Sequence, residues 1–408
     1  MSVVNVGHDA GHGHDGGHGH DAADLHAAPP PKASPVGLGA QPVLLVLTLL
    51  GLGGMGVSLL LWPQRAFSGL LAAAVTVLMV GLGGLVFALL MAVSNAGWAT
   101  TLKRVPEALA AALPVGAIAL LGVLPGAALL FGWVEHPHGR GAWLNLPFFA
   151  ARMGGILLLW IGLAFILTRS SRAQDRDAAL RHTRRTVALS ALGLLLIGLS
   201  GSVAAFDWLM SLETHWYSTM YGLYSLSGVL VAGVSAITIG VVLLSRRGRL
   251  PGVGDNHIHD LGKLMFGFST LWAYLWLSQW LLIWYANLPE ETTYYLARTS
   301  GGWSFLFWLN LVLNWGLPFV LLMPRAAKRS PEHTLRVAIL LLAARWLDVY
   351  LMVAPSGDAI HPGISLPELS ALLAVGACFG LVVLRALGRA PLTPVHDPYL
   401  GESQHHPG

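Results

Sequence analysis

The sequence predicts an all-α integral membrane protein of about ten transmembrane helices, and three observations predict it. Only 11% of the 408 residues are charged and 55% are apolar, where soluble chains carry about 25% charge; mean hydropathy is +0.63. Apolar runs recur at lengths near the roughly 20 residues that a helix needs to cross a bilayer. Lys and Arg collect in alternate connections between those runs.

The first forty residues form a Gly/His/Asp tail with GHGHD written twice, followed by Pro29-Pro30-Pro31. Such a composition buries no core and predicts disorder. His8, His12, His14, His18, His20 and His26 suit either weak divalent-metal binding or a plain flexible tail, and the tail lacks the apolar stretch of a cleavable signal peptide. Ten spans follow, at about 41–62, 67–93, 108–133, 148–168, 186–211, 217–244, 264–287, 302–323, 334–354 and 366–386. The early spans are rich in glycine (Gly51, Gly53, Gly54 and Gly56; Gly81, Gly83 and Gly84), which favours close helix contact. Residues 41–390 are expected to form one membrane domain and 391–408 a second tail. Of the 24 Lys and Arg residues, nineteen fall on the side of the two termini, four on the other, and Arg345 lies within a span. That bias predicts cytoplasmic N- and C-termini.

Polar groups at membrane depth are the candidate site residues, because each is costly in hydrocarbon and many serve a pathway. Asp207 sits on a small, polar face of the fifth span, and Tyr221 and Tyr224 lie on the sixth; they suit a hydrated cleft or a tight interface. Arg345 and Asp348 are three apart on the ninth span, so they suit a structural pair or a proton route. The seventh span begins with His257, His259, Asp260 and Lys263 and ends with Glu290 and Glu291. Between them run Ser278 and Tyr285, with Gln279 beside them, and a ridge of Trp272, Trp276, Trp280 and Trp284. The ridge suits packing bulk; the histidines suit proton loading or simple solvation. Two proton half-paths follow: Asp207 from one side, the histidines from the other, with Arg345 and Asp348 between in depth.

Absences narrow the chemistry. No histidine falls inside a predicted span, which argues against haem held between helices, and Cys378 is the single cysteine, so the chain has no CxxCH attachment and no Fe–S ligand set. No metal site is expected. A P-loop, a GxSxG elbow and an HExxH motif are also missing. The net charge of +4 lies in membrane connections and gives no nucleic-acid signal.

Two stretches carry a family resemblance. Phe206-Asp207-Trp208-Leu209-Met210-Ser211-Leu212-Glu213-Thr214-His215-Trp216-Tyr217-Ser218-Thr219-Met220-Tyr221-Gly222 is one; Asn256-His257-Ile258-His259-Asp260-Leu261-Gly262-Lys263, with Trp284-Tyr285-Ala286-Asn287-Leu288-Pro289-Glu290-Glu291, is the other. Both resemble motifs of NrfD-like (polysulfide-reductase-like) membrane subunits, including those of alternative complex III, a bacterial quinol:cytochrome c (or other acceptor) oxidoreductase. Thr214 stands where proline is commoner. The resemblance covers residues 41 to about 390. It implies two four-helix bundles (spans 2–5 and 6–9) flanked by spans 1 and 10, placed in the bacterial inner membrane. It also implies a paralogous NrfD-like membrane subunit, a periplasmic Fe–S/molybdopterin-like subunit, a multihaem c-type cytochrome and surrounding membrane lipid as partners, with quinone or menaquinone as the organic cofactor. Glu213 and His215 join the site candidates on this basis. A structural anchor for periplasmic redox subunits is an alternative. A secondary transporter is another, against which no Gly/Pro-broken pair of spans is visible at matching positions in the two halves.

Overall fold

The computed structural model describes residues 35–136, 141–176, 180–357, 361–394 and 396–406. The histidine-rich stretch of the N-terminal tail, with its metal-binding reading, lies outside them. Every regular element among the described residues is helical. The long helices are α1 (Ala40–Leu61), α2 (Pro63–Val93), α3 (Arg104–Leu130), α4 (Leu146–Gln174), α5 (Leu180–Trp208), α6 (Met220–Arg246), α7 (Asp255–Ala286), α8 (Trp303–Leu322), α9 (Pro331–Val353) and α10 (Leu366–Leu387). Among the described residues nine helices are long and apolar enough to cross a membrane, so the chain is a multi-pass helical membrane protein.

The helix outside those nine is α7. Its 32 residues span about 48 Å at about 1.5 Å per residue. Trp, Tyr, Ser and Gln lower its hydropathy although indole rings partition well at a bilayer interface. It runs the full height of the body. His257 near its start meets Ser403 beside the 95–103 connection, and past its end the Glu291 carbonyl accepts from Trp216 Nε1 at 3.0 Å, beyond α5.

Helix starts are written locally. Asn145 Oδ1 accepts from Phe148 N–H at 3.0 Å before α4, Ser330 Oγ accepts from His333 N–H at 3.4 Å before α9, and Ser365 with Glu368 forms a capping box before α10. Pro147, Pro331 and Pro367 occupy the first turns, where a missing N–H costs nothing.

Small residues set the packing. α2, α6 and α9 are the most enclosed of the apolar helices, while α1, α4, α5 and α8 turn most of their surface outward. Gly83 of α2 faces Gly233 of α6 so closely that a Cβ at Gly83 would lie 2.5 Å from the Gly233 Cα. Only glycine permits that backbone approach. α3 and α5 pack against α2, α4 packs against α3 and α5, α7 and α9 pack against α6, and α1 pairs with α10.

The two ends of the body differ. At one, called here the Arg298 end, Arg65 meets Glu368 at 2.5 Å and Arg298 meets Glu213 at 3.2 Å. At the other, the Arg104 end, Lys103 meets Asp397 at 2.7 Å. Residues 391–408, read from sequence as a tail, are not free over 396–406. The fully buried Ser403 hydroxyl donates to Trp98 O at 2.6 Å and accepts from Thr101 N–H at 3.1 Å, and His406 Nε2 meets Asp260 Oδ2 at 2.7 Å.

Candidate functional site

A charged cluster lies in the interior between α6, α7, α8 and α9. Arg345 and Asp348 are each 1% exposed. The Asp348 Oδ1 accepts from the Tyr224 hydroxyl at 2.5 Å and from Asn310 Nδ2 at 2.7 Å. Arg345 Nε donates to Asn314 Oδ1 at 2.6 Å, and its guanidinium lies 4.4 Å from the centre of the Trp272 ring. Arg345 Nη1 is 3.2 Å from Asp348 Oδ2, yet the pair is misaligned for a hydrogen bond. Arg345 Nη1 and Nη2 and Asp348 Oδ2 therefore have no hydrogen-bond partner among the described residues. Each unmet group costs about 1–3 kcal/mol, more when charged.

The two asparagines reach the cluster through a defect in α8. Pro318 has no N–H, so the Asn314 carbonyl four residues earlier loses its helical donor. Residues Val312–Gly316 form a π-turn there, a form common at functional sites. Asn314 also donates to Ala344 O at 3.1 Å and to Asn310 Oδ1 at 2.6 Å, which tightens α8 onto α9.

The cluster faces the Arg298 end. A cavity of about 20 Å³ bordered by Tyr221, Gln279, Tyr294, Arg298, Asn310 and Asp348 is large enough for a water molecule. Beyond Tyr294 and Arg298 opens a vestibule of about 610 Å³, lined by Glu213, His215, Trp216, Thr293 and Ser356 among others. Arg298 forms the partition. It donates to Leu351 O at 2.9 Å and Met352 O at 3.0 Å, capping the end of α9, and Ser356 Oγ donates to Glu213 Oε1 at 2.8 Å. The Tyr294 ring stacks on Trp216 at 4.0 Å, and burial pushes its hydroxyl above the usual tyrosine pKa. Toward the Arg104 end, by contrast, α6, α7 and α9 bury Val241, Met265, Val337 and Leu341.

Other candidates fall elsewhere. Asp207 is a saturated carboxylate: Arg152 Nε and Nη2 donate to it at 2.7 and 3.2 Å, Trp143 Nε1 donates at 3.0 Å, and the guanidinium stacks on Trp143 and Phe148. It lies against α4, away from the Tyr224 cluster. Gln279 is buried and borders the small cavity, whereas Ser278 donates to Tyr274 O and Tyr285 is 84% exposed. The polar line expected on α7 thus splits between inside and outside. The Trp ridge runs from the core, with Trp272 fully buried, to Trp284 at 62% exposure. Glu290 is exposed, and Glu291 contributes its carbonyl to Trp216.

At the Arg104 end, Lys263 Nζ meets Asp260 Oδ1 at 2.5 Å and His257 Nδ1 accepts from Gly254 N–H at 3.2 Å. Burial first, and then the His406 charge, lower the His257 pKa below its ordinary 6.5; burial and Lys263 lower that of His259. The cluster closes the C-terminal segment onto the body. No group able to hold a metal is formed among the described residues.

Two spans are nevertheless broken. α3 is interrupted after Ala110 and again at Leu124–Gly126, and α8 is interrupted by its π-turn. Gly126 packs against the Phe67 ring, whereas the α8 break serves the Arg345 cluster, so the two breaks do not frame one shared site. Asn310, Asn314, Tyr294, Arg298 and Arg152 were not anticipated. Two amides four apart inside an apolar run, just before a proline, were the available signal for the first two. Comparison with protein-family models finds none that matches this chain, and comparison with curated proteins finds no match either.

Proposed function

We propose that the chain is a non-haem membrane subunit of a respiratory quinol-oxidising complex of the NrfD-like kind, similar to ActF, the second such subunit of alternative complex III. Its part there is proton transfer between the Arg298 end and the middle of the membrane. One observation carries the proton role: an almost fully enclosed Arg345–Asp348 pair with unmet hydrogen-bonding atoms borders a water-sized cavity under a polar vestibule. The two motifs support the complex, and the lack of haem and Fe–S ligand patterns in the sequence agrees with redox centres carried by partners. The Lys/Arg bias supports a cytoplasmic Arg104 end with both termini there, α7 as a tenth crossing, and a periplasmic vestibule beside the redox subunits.

On this reading Glu213 and His215 stand at the mouth, and Arg298 and Tyr294 form a gate. Asp348 accepts the proton and Tyr224 orients it. The path differs from one entering at Asp207, both of whose carboxylate oxygens already accept from Arg152 or Trp143. A neutralising change at the mouth tests it. Glu213→Gln in the assembled complex should slow proton-coupled quinol turnover while the Fe–S and cytochrome partners still co-purify. Unchanged turnover would remove Glu213 from the path, and absence of redox partners from the purified complex would remove the assignment.

The anchor reading is favoured by one feature, the saturated Arg152–Asp207 pair, which looks built for rigidity.

A further inference from the structure

At the Arg104 end, away from the charged cluster, a cleft opens between α2, α4, α5 and the C-terminal segment. Its floor is apolar: Phe87 and Met91 of α2, Leu167 of α4 and Val187 of α5. Its mouth is polar, with Asn95, Lys103, Gln174, Thr183, Asp397 and Tyr399. An inner part of about 80 Å³ continues into an outer part of about 490 Å³. Asn95, Thr183, Val187 and Tyr399 border both, and Arg184 borders the outer one.

We propose that this cleft is a binding site for one anionic phospholipid, with an acyl chain on the apolar floor and the phosphate at Arg184 and Thr183. Charge decides the headgroup. Residues 169–185 carry six arginines against two aspartates, and Asp175 is already taken by Arg104, which also binds Glu107 at 2.7 Å. Asp397 at the mouth is neutralised by Lys103. Arg184 is exposed and in reach of a phosphate. A basic, partly apolar pocket between spanning helices at such an end is a recurrent recognition mode for anionic lipid headgroups. Depth decides against a quinone. A ring held at the Arg104 end would sit across the membrane from the Arg298 end, where the redox partners are placed above.

The C-terminal segment makes this a built site. Tyr399 and Pro398 wall the outer part, and they are held there by Ser403 and by Lys103–Asp397. Lipid binding and docking of residues 396–406 therefore support each other, and this holds whether or not the proton role above is right.

The test uses the full-length chain, delipidated in mild detergent and titrated with phosphatidylglycerol or phosphatidylcholine, with retained lipid read by native mass spectrometry. One phosphatidylglycerol should be retained in preference to phosphatidylcholine. Arg184→Ala, an exposed change that leaves packing intact, should lower retention about fivefold, the worth of one basic contact at a membrane surface. Ala88 of α2 also lines the inner part; Ala88→Trp, which fills the floor, should abolish retention, with Val187→Phe as a milder filler. Equal retention of the two lipids, unchanged retention in Arg184→Ala and the filled variants, or recovery of a quinone in place of lipid would each overturn the proposal.

Discussion

Two buried ion pairs in this protein use the same chemistry to opposite ends. Asp207 meets Arg152 with two guanidinium contacts, an indole N–H and aromatic stacking around them. Asp348 meets Arg345 with one misaligned contact, and both partners keep unmet atoms in a nearly closed interior. Desolvation penalises both pairs, and geometry offsets it only in the first. The first pair holds helices together, with three donors on its two carboxylate oxygens and no oxygen left without a partner. An unsaturated pair beside a water-sized cavity keeps such an oxygen for a proton. Burial and charge alone do not separate the two; counting hydrogen bonds does.

Replacement variants can break this contrast. The largest effect is expected for Arg345→Leu, which leaves Asp348 buried without a counter-ion and should cost about 3–5 kcal/mol, read as loss of folded protein by thermal unfolding in detergent. Adding Asp348→Leu removes the uncompensated charge, but the double change takes a partner from the buried Tyr224, Asn310 and Asn314, at about 1–3 kcal/mol each. Folding should therefore be recovered only in part while proton-coupled turnover stays lost. Recovery of both would make the pair a packing device.

Arg152→Ala should destabilise by about 2–3 kcal/mol, since Asp207 keeps the Trp143 N–H. Turnover per assembled complex should not change. A selective loss of turnover at unchanged assembly would return Asp207 to the path.

A smaller effect is expected at the Arg104 end. Burial and the nearby His406 hold His257 neutral, against the weaker opposing pull of Asp260, so its folded pKa lies below 6.5. Its contribution is present above that value and lost as pH falls, because the released segment binds the proton more readily. Deuterium uptake over residues 396–406, corrected for intrinsic rates, should rise between about pH 7.5 and about pH 5.5. The same trend should flatten in His257→Gln; a trend of opposite sign would remove His257 from the lock.

Much of the fold was legible because hydrocarbon imposes a length and a composition on each crossing helix. Each of the ten apolar stretches falls mainly on helical residues, the third of them across two breaks. α7 alone escapes a hydropathy criterion, through Trp272, Trp276, Trp280 and Trp284, and its length and polar ends still marked it. Reporter fusions after Arg249 and after Glu290 should report opposite faces. The site was half legible. Arg345, Asp348, Tyr224 and Gln279 stood out as polar groups at depth, but their partners come from α8, whose π-turn depends on Pro318 and on tertiary contact. Arg152 was assigned to a loop side by its charge, and nothing in local sequence pairs it with Asp207. The docking of Ser403 and His406 was invisible because polar tails resemble solvated ones until a buried partner appears.

The contrast between the pairs is tested most directly by quinol-driven proton movement in vesicles reconstituted with the assembled complex, comparing Asp348→Asn with Asp207→Asn. Asparagine keeps the shape of either carboxylate and cannot exchange a proton near neutral pH. At equal assembly, Asp348→Asn should lose coupled turnover by about a hundredfold, the lower range for removing a positioned proton acceptor, and Asp207→Asn should keep it. Full activity in Asp348→Asn, or equal loss in both, would contradict the assignment of proton transfer to the unsaturated pair.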